Sequence, residues 1–282
     1  MNTKVYCNRW LALTAGGLVA FAAVAAAQST NTPASNGLGQ VALADHVFGH
    51  QVISSDGQKV GNLNNLVIDL ESGRILYGVI GTGEGRVGVA PQVFASTLPS
   101  NNTLRINATK QQIDGAPKFD SVDQPGQWGQ ASYVSQVYSH FGQSPWWQGN
   151  TAANVGSFHN VHKASQVVGM KVENVSNQEV GTVKNVAVDL PDGRVVYVFL
   201  APAASLNLNN NIYPLPPQAV TLSPDQKNLV SDISAEKLSG APHFASNSWP
   251  NLSDATLAGQ VYQFYGKQPW FTTGGGLQPT GR

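Results

Sequence analysis

Hydrophobic and polar residues alternate along one segment of the chain and again along a second segment further on. Every second position is apolar from Leu66 to Leu70 and from Val186 to Leu190. A period of two predicts strands that turn one face toward a core. The strands that follow, residues 75–80 and 195–200, are apolar on both alternating sets. We therefore expect them to be central strands that are covered on both faces.

Tight turns are predicted between these strands. The sequences LESGR and LPDGR place Gly73 and Gly193 where a turn requires a left-handed backbone. An earlier turn is predicted at Asp56-Gly57 and at Ser176-Asn177, because Gly and Asn best tolerate a positive φ. Short strands, tight turns and little helix predict a small antiparallel β-barrel, which closes on itself and leaves no exposed sheet edge.

The two strand pairs belong to a long internal repeat. The sequences KVGNLNNLVIDLESGRILYGV and EVGTVKNVAVDLPDGRVVYV match with one fixed spacing, 181 − 61 = 120 for the first shared glycine. The spacing becomes 125 where DGAPKF matches SGAPHF, and 124 where QVYSHFGQSPWW matches QVYQFYGKQPWF. Such a match indicates one structural unit used twice. The repeated positions are Gly61, Asp69, Gly73, Arg74 and Tyr77 in the first copy and Gly181, Asp189, Gly193, Arg194 and Tyr197 in the second.

A helical pattern follows each predicted barrel. Apolar residues recur at helical spacing from Val134 to Phe141 and from Leu257 to Tyr265. The pair Ser253-Asp254 predicts an N-cap, and Gly142 and Gly266 are expected to end the two helices in a left-handed conformation. Each helix should pack on its own barrel.

The predicted fold is therefore mainly β, with two tandem small antiparallel β-barrels, each followed by an amphipathic α-helix. Two equal copies are compatible with an internal pseudo-dimer about an approximate two-fold axis, whereas the oligomeric state of the whole chain is left open. We assign residues 1–27 to a signal peptide, 28–44 to a flexible linker, 45–120 to the first barrel, 121–148 to its helix, 149–164 to a linker, 165–245 to the second barrel, 246–272 to its helix and 273–282 to a disordered tail.

The first 27 residues have the pattern of a secretory signal peptide. Lys4 and Arg9 precede an apolar run that starts at Leu11 and ends in small residues at Ala25–Ala27. Two glycines interrupt the run, and it is shorter than the roughly 20 residues that a spanning helix requires. We therefore expect cleavage after Ala27, no retained membrane helix, and a periplasmic location, with the outside medium as the alternative.

Composition restricts the partners of the exported chain. Removing Lys4 and Arg9 leaves 14 of the 16 basic residues against 16 acidic ones, so a nucleic-acid partner is not expected. Charged residues make up only 11% of the chain, whereas an average domain has about 25%. The only cysteine, Cys7, lies before the cleavage site. The core alone must therefore stabilise the mature chain.

The most prominent candidate catalytic groups are Asp69 and Asp189, which occupy matching places beside an arginine on the returning strand. An aspartate at the junction of a strand and a turn usually accepts backbone N–H bonds or pairs with a nearby arginine. General acid–base catalysis would need a second acid, and none lies close to either aspartate in the sequence. We assign both a structural role and predict no catalytic residue.

Two pairs of histidines have spacings that could suit a metal ion. They are His46 with His50 and His159 with His162, and no recognisable set of further ligands completes either pair. The glycine-rich segment 81–88 is similar to a phosphate-binding loop, but it lacks the Gly-Lys-Ser/Thr ending and leads into no helix. We predict neither a metal nor a cofactor, and we interpret the segment as a hairpin loop.

Aromatic residues beyond the helices have two interpretations. Trp146, Trp147 and Trp270 follow the predicted helices directly. In that position they are expected to fill the seam between helix and barrel, since aromatic side chains dominate the energetics of cores. If they were exposed instead, they would form a partner surface able to stack on sugar rings or to contact a protein.

The repeated segment resembles the PRC-barrel family. The resemblance rests on an apolar-Gly opening, the dipeptide VG, an apolar strand ending in Asp, a GR turn and an aliphatic-Tyr strand, over Val47–Phe119 and Val167–Phe244. The family includes the photosynthetic reaction centre H subunit and the C-terminal domain of a ribosome-maturation factor. The resemblance implies a compact β-barrel that acts as a docking platform and supplies no catalytic residues. Neither specific role transfers, because this chain lacks the retained membrane helix of the first and is expected to be exported, unlike the second.

These observations lead to a functional expectation. The chain is expected to be a non-enzymatic exported envelope protein that binds or organises another envelope protein through its barrel faces and loops. The alternative is a protein that binds a small ligand or a cell-wall glycan through its loops and exposed aromatic residues. An enzyme that uses Asp and His is a third class, which no motif supports.

Overall fold

The computed structural model describes residues 38–119, 128–147, 158, 160–208 and 210–271. All of them belong to one compact unit. This part of the chain is mainly β, as predicted. Its strands are β1 (Ala42–Leu43), β2 (Gln51–Ile53), β3 (Lys59–Asp69), β4 (Arg74–Thr82), β5 (Gly85–Val89), β6 (Thr103–Arg105), β7 (Lys118–Phe119), β8 (Val161–Lys163), β9 (Lys171–Asn174), β10 (Glu179–Asp189), β11 (Arg194–Pro202), β12 (Asn211–Leu215), β13 (Thr221–Leu222), β14 (Leu229–Ser231) and β15 (Phe244–Ala245).

Helices are short in the described part of the chain. The α-helices are α1 (Lys110–Asp114), α2 (Ala131–His140), α3 (Ala164–Val167), α4 (Ala235–Ser239) and α5 (Ala255–Phe264). Four 3-10 helices cover Ala44–His46, Pro91–Val93, Ala204–Leu206 and Pro217–Ala219. None of the described helices has the length and apolar character needed to cross a bilayer.

The predicted central hairpin is present in both repeats. β3 pairs with β4 and β10 pairs with β11, and both pairs are antiparallel. The connecting turns contain Gly73 at φ +63° and Gly193 at φ +61°, which confirms the left-handed backbone expected there. Residues 75–80 and 195–200 are buried throughout, as expected for central strands.

The two hairpins meet end to end on an approximate two-fold axis. Arg74 of β4 and Arg194 of β11 are direct partners in the sheet. The amide of Ile75 donates to the carbonyl of Gly193, and the amide of Val195 donates to the carbonyl of Gly73, both at 3.0 Å. Because each bond is the image of the other at a spacing of 120 residues, the repeats are related as in a symmetric dimer.

Each repeat also lends its first strand to the other. β1 of the first repeat pairs with β10, where Ala42 lies opposite Val188. β8 of the second repeat pairs with β3, where His162 lies opposite Ile68. The sequence pattern assigns both strands to linkers, 28–44 and 149–164. They form strands because their residues are buried and because β10 and β3 offer them an unpaired edge.

The strands do not close into two separate barrels, which corrects that part of the prediction. Nine of the fifteen described strands follow one path with two ends, in the order β13-β14-β9-β10-β11-β4-β3-β2-β6, and the other six lie off this path. Two pairs on this path, β2 with β6 and β9 with β14, are parallel rather than antiparallel. The physical reason is the exchange of strands. It pairs a strand edge of one repeat with a strand of the other repeat, whereas a closed barrel would pair edges within one repeat.

Burial along β3 differs from the predicted alternation. In its first half the buried residues are Val60 and Leu63, three positions apart, and every residue from Leu66 to Leu70 is buried. Here β8 and α3 of the second repeat contact the strand. In a single repeat one side of β3 would face solvent. In this protein the second repeat covers that side.

The helices after the hairpins pack on the sheet as predicted. Val134 and Val137 of α2 and Val261 of α5 are buried in the common core. The hydroxyl of Tyr262 donates to the carbonyl of Val196 at 3.1 Å. Asp254 caps α5 by accepting from two backbone amides, at 2.8 and 3.3 Å. Gly142 and Gly266 have φ of +64° and +65°, which confirms the predicted helix ends.

Candidate functional site

The repeated aspartates lie buried at the ends of β3 and β10. Asp69 is 3% exposed and Asp189 is 1% exposed. Asp69 accepts from the amide of Ser72 at 3.2 Å, and Asp189 accepts from the amide of Asp192 at 3.4 Å. Asp69 Oδ1 has no hydrogen-bond partner among the described residues. Gly39 and Thr97 lie within hydrogen-bonding reach of the Asp189 carboxyl. Both carboxyls therefore anchor their turns, and they do so at an electrostatic cost.

That cost is reflected in the titration of the two groups. Burial raises the pKa of Asp69 above its usual range, although hydrogen bonds from Ser72 offset part of the effect. Burial, together with the negative charge of Asp192, raises the pKa of Asp189 to about 7. Neither carboxyl lines the groove around Trp249 or the pocket beside His243. We therefore treat the pair as a structural feature with an unusual pH response.

The remaining repeat positions shape the sheet. A Cβ atom on Gly61 would lie 2.0 Å from the carbonyl oxygen of Gly81, and one on Gly181 would lie 2.2 Å from that of Ala201. Only glycine allows the backbones to approach so closely. Tyr77 is buried and its hydroxyl donates to the carbonyl of Trp128, whereas Tyr197 is buried between β11 and α5 with its ring 5.5 Å from Phe199.

The tryptophans beyond the helices are half-buried and engaged by neighbouring side chains. The rings of Trp146 and Trp147 meet edge to face with centroids 4.4 Å apart. The guanidinium of Arg74 lies over Trp146 at 5.0 Å, and that of Arg194 lies over Trp270 at 4.7 Å. Trp146 and Trp270 therefore lie beside the two arginines that meet on the axis, and all three rings stay partly exposed.

The described histidines of the two predicted pairs lie in different surroundings. His46 is exposed with Nε2 3.9 Å from Asp45 Oδ1, and His50 is half-buried nearby. His159 lies outside the described residues, and His162 is buried beside Trp128 with ring centroids 6.5 Å apart. Across the described part of the chain, no group of three or more His, Cys, Asp or Glu side chains is placed to hold a metal ion.

His46 and His50 instead line an open groove of about 760 Å³ that is built from both repeats. We call it the Trp249 groove. Its walls are formed by Val41, Ala42, Leu43, His46, His50, Leu98, Pro99, Asn101, Asn102, Trp249, Pro250 and Leu252. Side-chain hydrogen bonds hold the walls together: Ser253 Oγ accepts from the amide of Val41 at 2.9 Å, and Ser96 Oγ donates to Gln40 Oε1 at 2.5 Å.

Exposed apolar surface is concentrated in this groove. Three large hydrophobic side chains are exposed in the described part of the chain: Leu98 at 49%, Val175 at 74% and Trp249 at 36%. Two of them, Leu98 and Trp249, line the Trp249 groove. The Trp249 ring is held in place by Phe199 and Phe244, whose centroids lie 4.9 and 5.1 Å away. The groove therefore presents an aromatic side chain packed against two other rings and an exposed leucine.

The groove is open because the two repeats differ at the positions that line it. Ala42 corresponds to His162 at a spacing of 120, and Leu252 corresponds to Trp128 at a spacing of 124. In the symmetry-related place His162 packs near Trp128, and its Nε2 lies 3.3 Å from the carbonyl oxygen of Gln226. Larger side chains thus fill that position, whereas Ala42 and Leu252 leave space.

Sequence reasoning missed Trp249, because it belongs to neither repeat motif. A usable signal was present in the alignment of the repeats. Leu98 corresponds to Ser223 at a spacing of 125, so the groove combines an added apolar residue with two smaller ones. Positions where the copies differ are therefore more informative about binding here than the positions they share.

Comparison with known proteins agrees with the repeat. A family model for the PRC-barrel domain matches the chain twice, over residues 41–102 and 159–228. The two segments contain β1–β5 and β8–β13, and both end before α1 and α4. A search of curated proteins finds none that matches this chain. Residues 98–102 of the Trp249 groove fall inside the first segment, whereas Trp249–Leu252 fall outside both.

Proposed function

Starting from a chain that carries two PRC-barrel domains, we propose that it is a non-enzymatic, exported envelope protein that binds another protein through the Trp249 groove. The observation that carries this proposal is the collection of Leu98 and Trp249 in one groove that only the paired repeats create. Contiguous exposed apolar surface on a folded protein usually marks an interaction site.

The chemistry of the groove fits a protein partner. Trp249 is the residue type most often found at the energetic centre of protein interfaces, and its ring is already fixed by Phe199 and Phe244. A fixed side chain loses little conformational freedom on binding. The neighbouring groups, His46, Asn101 and Asn102, supply a polar rim around the apolar centre.

The cellular location in this proposal rests on the N-terminal sequence. Two basic residues precede an apolar run that ends in three alanines, which is typical of a signal peptide that is removed on export. The periplasm is the proposed location. The partner is accordingly another envelope protein.

Quantitative capture tests the proposal. The exported protein is purified, immobilised and exposed to an envelope extract of its host, and retained proteins are measured by mass spectrometry. Trp249→Ala should reduce retention of a specific partner about tenfold or more, as truncation of a central aromatic costs about 2 kcal/mol. Val175→Ser is the matched control, because Val175 is exposed but lies outside the groove.

The outcomes separate clearly. Loss with Trp249→Ala and retention with Val175→Ser supports the groove as the binding site. Equal retention by the wild-type protein and Trp249→Ala contradicts it.

A glycan is the second candidate occupant. The Trp249 ring has an exposed part, and the Asn101 and Asn102 amides beside it could donate to and accept from sugar hydroxyls. Titration with cell-wall glycan fragments while tryptophan fluorescence is recorded distinguishes the two. A saturable change that Trp249→Ala abolishes favours the glycan.

A further inference from the structure

A second feature, separate from the Trp249 groove, lies on the axis between the repeats. Arg74 and Arg194 begin β4 and β11 and face each other directly in the sheet. Side chains directly opposite in an antiparallel pair leave the same face within about 5.5 Å at Cβ, and like charges in that position repel. The fold therefore brings two cations together on one face of the sheet.

Each guanidinium is held in place by its own repeat. Arg74 lies 5.0 Å over the ring of Trp146, and Arg194 lies 4.7 Å over the ring of Trp270. Stacking on an aromatic ring occupies a face of the planar guanidinium but leaves its N–H edges available. The stacking therefore fixes the direction of the N–H donors without using them.

The donors have no partner among the described residues. No salt bridge within 4.0 Å involves either arginine there, and neither donates a side-chain hydrogen bond in that part of the chain. Both arginines are half-buried, and their nitrogens are absent from the buried atoms that lack a partner. The N–H edges therefore keep some contact with solvent.

The local charge is positive. Asp192 is the carboxylate in the described part of the chain whose charge acts on both arginines, and the matching position in the first repeat is Ser72. Burial, and next to it the charge of Arg74, lowers the pKa of Arg194 to about 10. Tyr138 and Tyr262 are the other titratable groups near the pair, and burial raises the pKa of both, so they are neutral. Asp69 and Asp189 are the sheet partners of Arg74 and Arg194, and burial raises the pKa of both carboxyls. Among the described residues, the two arginines and Asp192 therefore leave an excess positive charge.

Two glutamines border the pair at its sides. Gln218 Nε2 lies 2.5 Å from the place where a Cβ on Gly73 would stand, and Gln92 Nε2 lies 3.5 Å from the corresponding place on Gly193. The Oε1 atoms of both glutamines are buried and have no hydrogen-bond partner in the described part of the chain. Gln92 also lies within hydrogen-bonding reach of Tyr138, so the glutamines supply buried polar groups beside the arginine pair.

We propose that Arg74 and Arg194 bind a phosphate group on the axis between the repeats. A tetrahedral oxyanion has two-fold axes that exchange two pairs of oxygens, so it can present one pair to each guanidinium. A carboxylate has two oxygens, which a single guanidinium fork already satisfies. The phosphate group is that of inorganic phosphate or of a phosphomonoester headgroup, since both have the same charge and shape at this end.

Titration with inorganic phosphate tests the site. Isothermal titration of the purified full-length protein, in a low-salt buffer free of other oxyanions, should give saturable binding of one phosphate per chain. Arg74→Gln and Arg194→Gln should each weaken binding about tenfold or more, because a hydrogen bond to a charged group contributes about 1.5–3 kcal/mol, or at least a factor of ten. Arg105→Gln, at an exposed arginine on β6, is the matched control and should bind like the wild-type protein.

Further arms identify the ligand and guard against misfolding. Sulfate should compete with phosphate, whereas acetate should not. Vesicles of phosphatidylcholine with phosphatidic acid, compared with phosphatidylcholine alone, show whether a lipid phosphomonoester is bound as well as the free ion. Where a glutamine variant fails to fold, as judged by circular dichroism, Arg74→Lys and Arg194→Lys keep the charge but lose the paired donors, and they should weaken binding.

The result can overturn the proposal in two ways. Absence of saturable phosphate binding by the folded wild-type protein, together with no preference for vesicles that contain phosphatidic acid, contradicts the site. Binding that falls equally in Arg105→Gln and in the axis variants shows a non-specific charge effect and also contradicts it.

Discussion

Replacing Asp189 by asparagine should change how the stability of the protein depends on pH. Asp189 is 1% exposed, and burial together with the charge of Asp192 raises its pKa from 3.8 to about 7. Asparagine has nearly the shape of the protonated acid but does not ionise. The substitution therefore removes one titration and leaves the packing almost unchanged.

The sign follows from proton linkage. Between pH 4 and pH 7 the unfolded chain has lost the proton of Asp189, whereas the folded protein still holds it, so stability falls as pH rises. The shift spans about three pH units at about 1.4 kcal/mol per unit, so the whole effect is about 4 kcal/mol. The free energy of unfolding of Asp189→Asn relative to the wild-type protein should increase by up to this amount from pH 4 to pH 7.5.

Urea unfolding followed by tryptophan fluorescence at a series of pH values measures this difference. Comparing variant with wild type cancels the titration of other groups, including that of His162, whose pKa is lowered by burial. Asp225→Asn is the control, because Asp225 is exposed and hydrogen bonds from Ser223 lower its pKa, so its difference from wild type should be flat above pH 4. A flat or falling difference for Asp189→Asn would refute the reasoning.

Two further predictions concern the core. Gly61→Ala should lower the free energy of unfolding in urea by about 1–3 kcal/mol, because its Cβ would lie 2.0 Å from the carbonyl oxygen of Gly81. Gly83→Ala is the control: its Cβ would have no atom within 4 Å, so the free energy of unfolding should change by less than about 0.5 kcal/mol. Tyr262→Phe removes a buried hydrogen bond of 3.1 Å and should cost about 1 kcal/mol by thermal unfolding. Tyr197→Phe removes a hydroxyl that has no partner among the described residues and should cost nothing, so equal losses in the two tyrosine variants would contradict the assignment.

Local structure could be predicted from the sequence wherever a single residue type determines the backbone. Gly73 and Gly193 mark the hairpin turns, and Asp254 caps α5, because glycine tolerates a positive φ and a carboxylate accepts from free amides. The short helices α1 and α4 were missed, since five residues give too few turns for a visible period.

The exchange of strands could not be predicted from the same patterns. β1 and β8 occupy matching places in the two repeats. The same sequence pattern is therefore compatible with pairing within a repeat and with pairing between repeats. What distinguishes them is the pairing of β1 with β10 and of β8 with β3, which are tertiary contacts that no periodicity reports. Differences between the repeats, such as Ala42 in place of His162, are visible in the sequence. Their effect on the groove depends on which side chains meet across the axis, and the sequence does not show this.

Site-specific photo-crosslinking is the most direct test of the central claim that the Trp249 groove binds a protein partner. A photoreactive phenylalanine analogue is placed at Leu98 in one protein and at Val175 in another, and both are produced and irradiated in the host. The account predicts one discrete protein adduct from Leu98, lost when Trp249 is also replaced by alanine, and no such adduct from Val175. The same adduct from both positions, or none from Leu98, would contradict it.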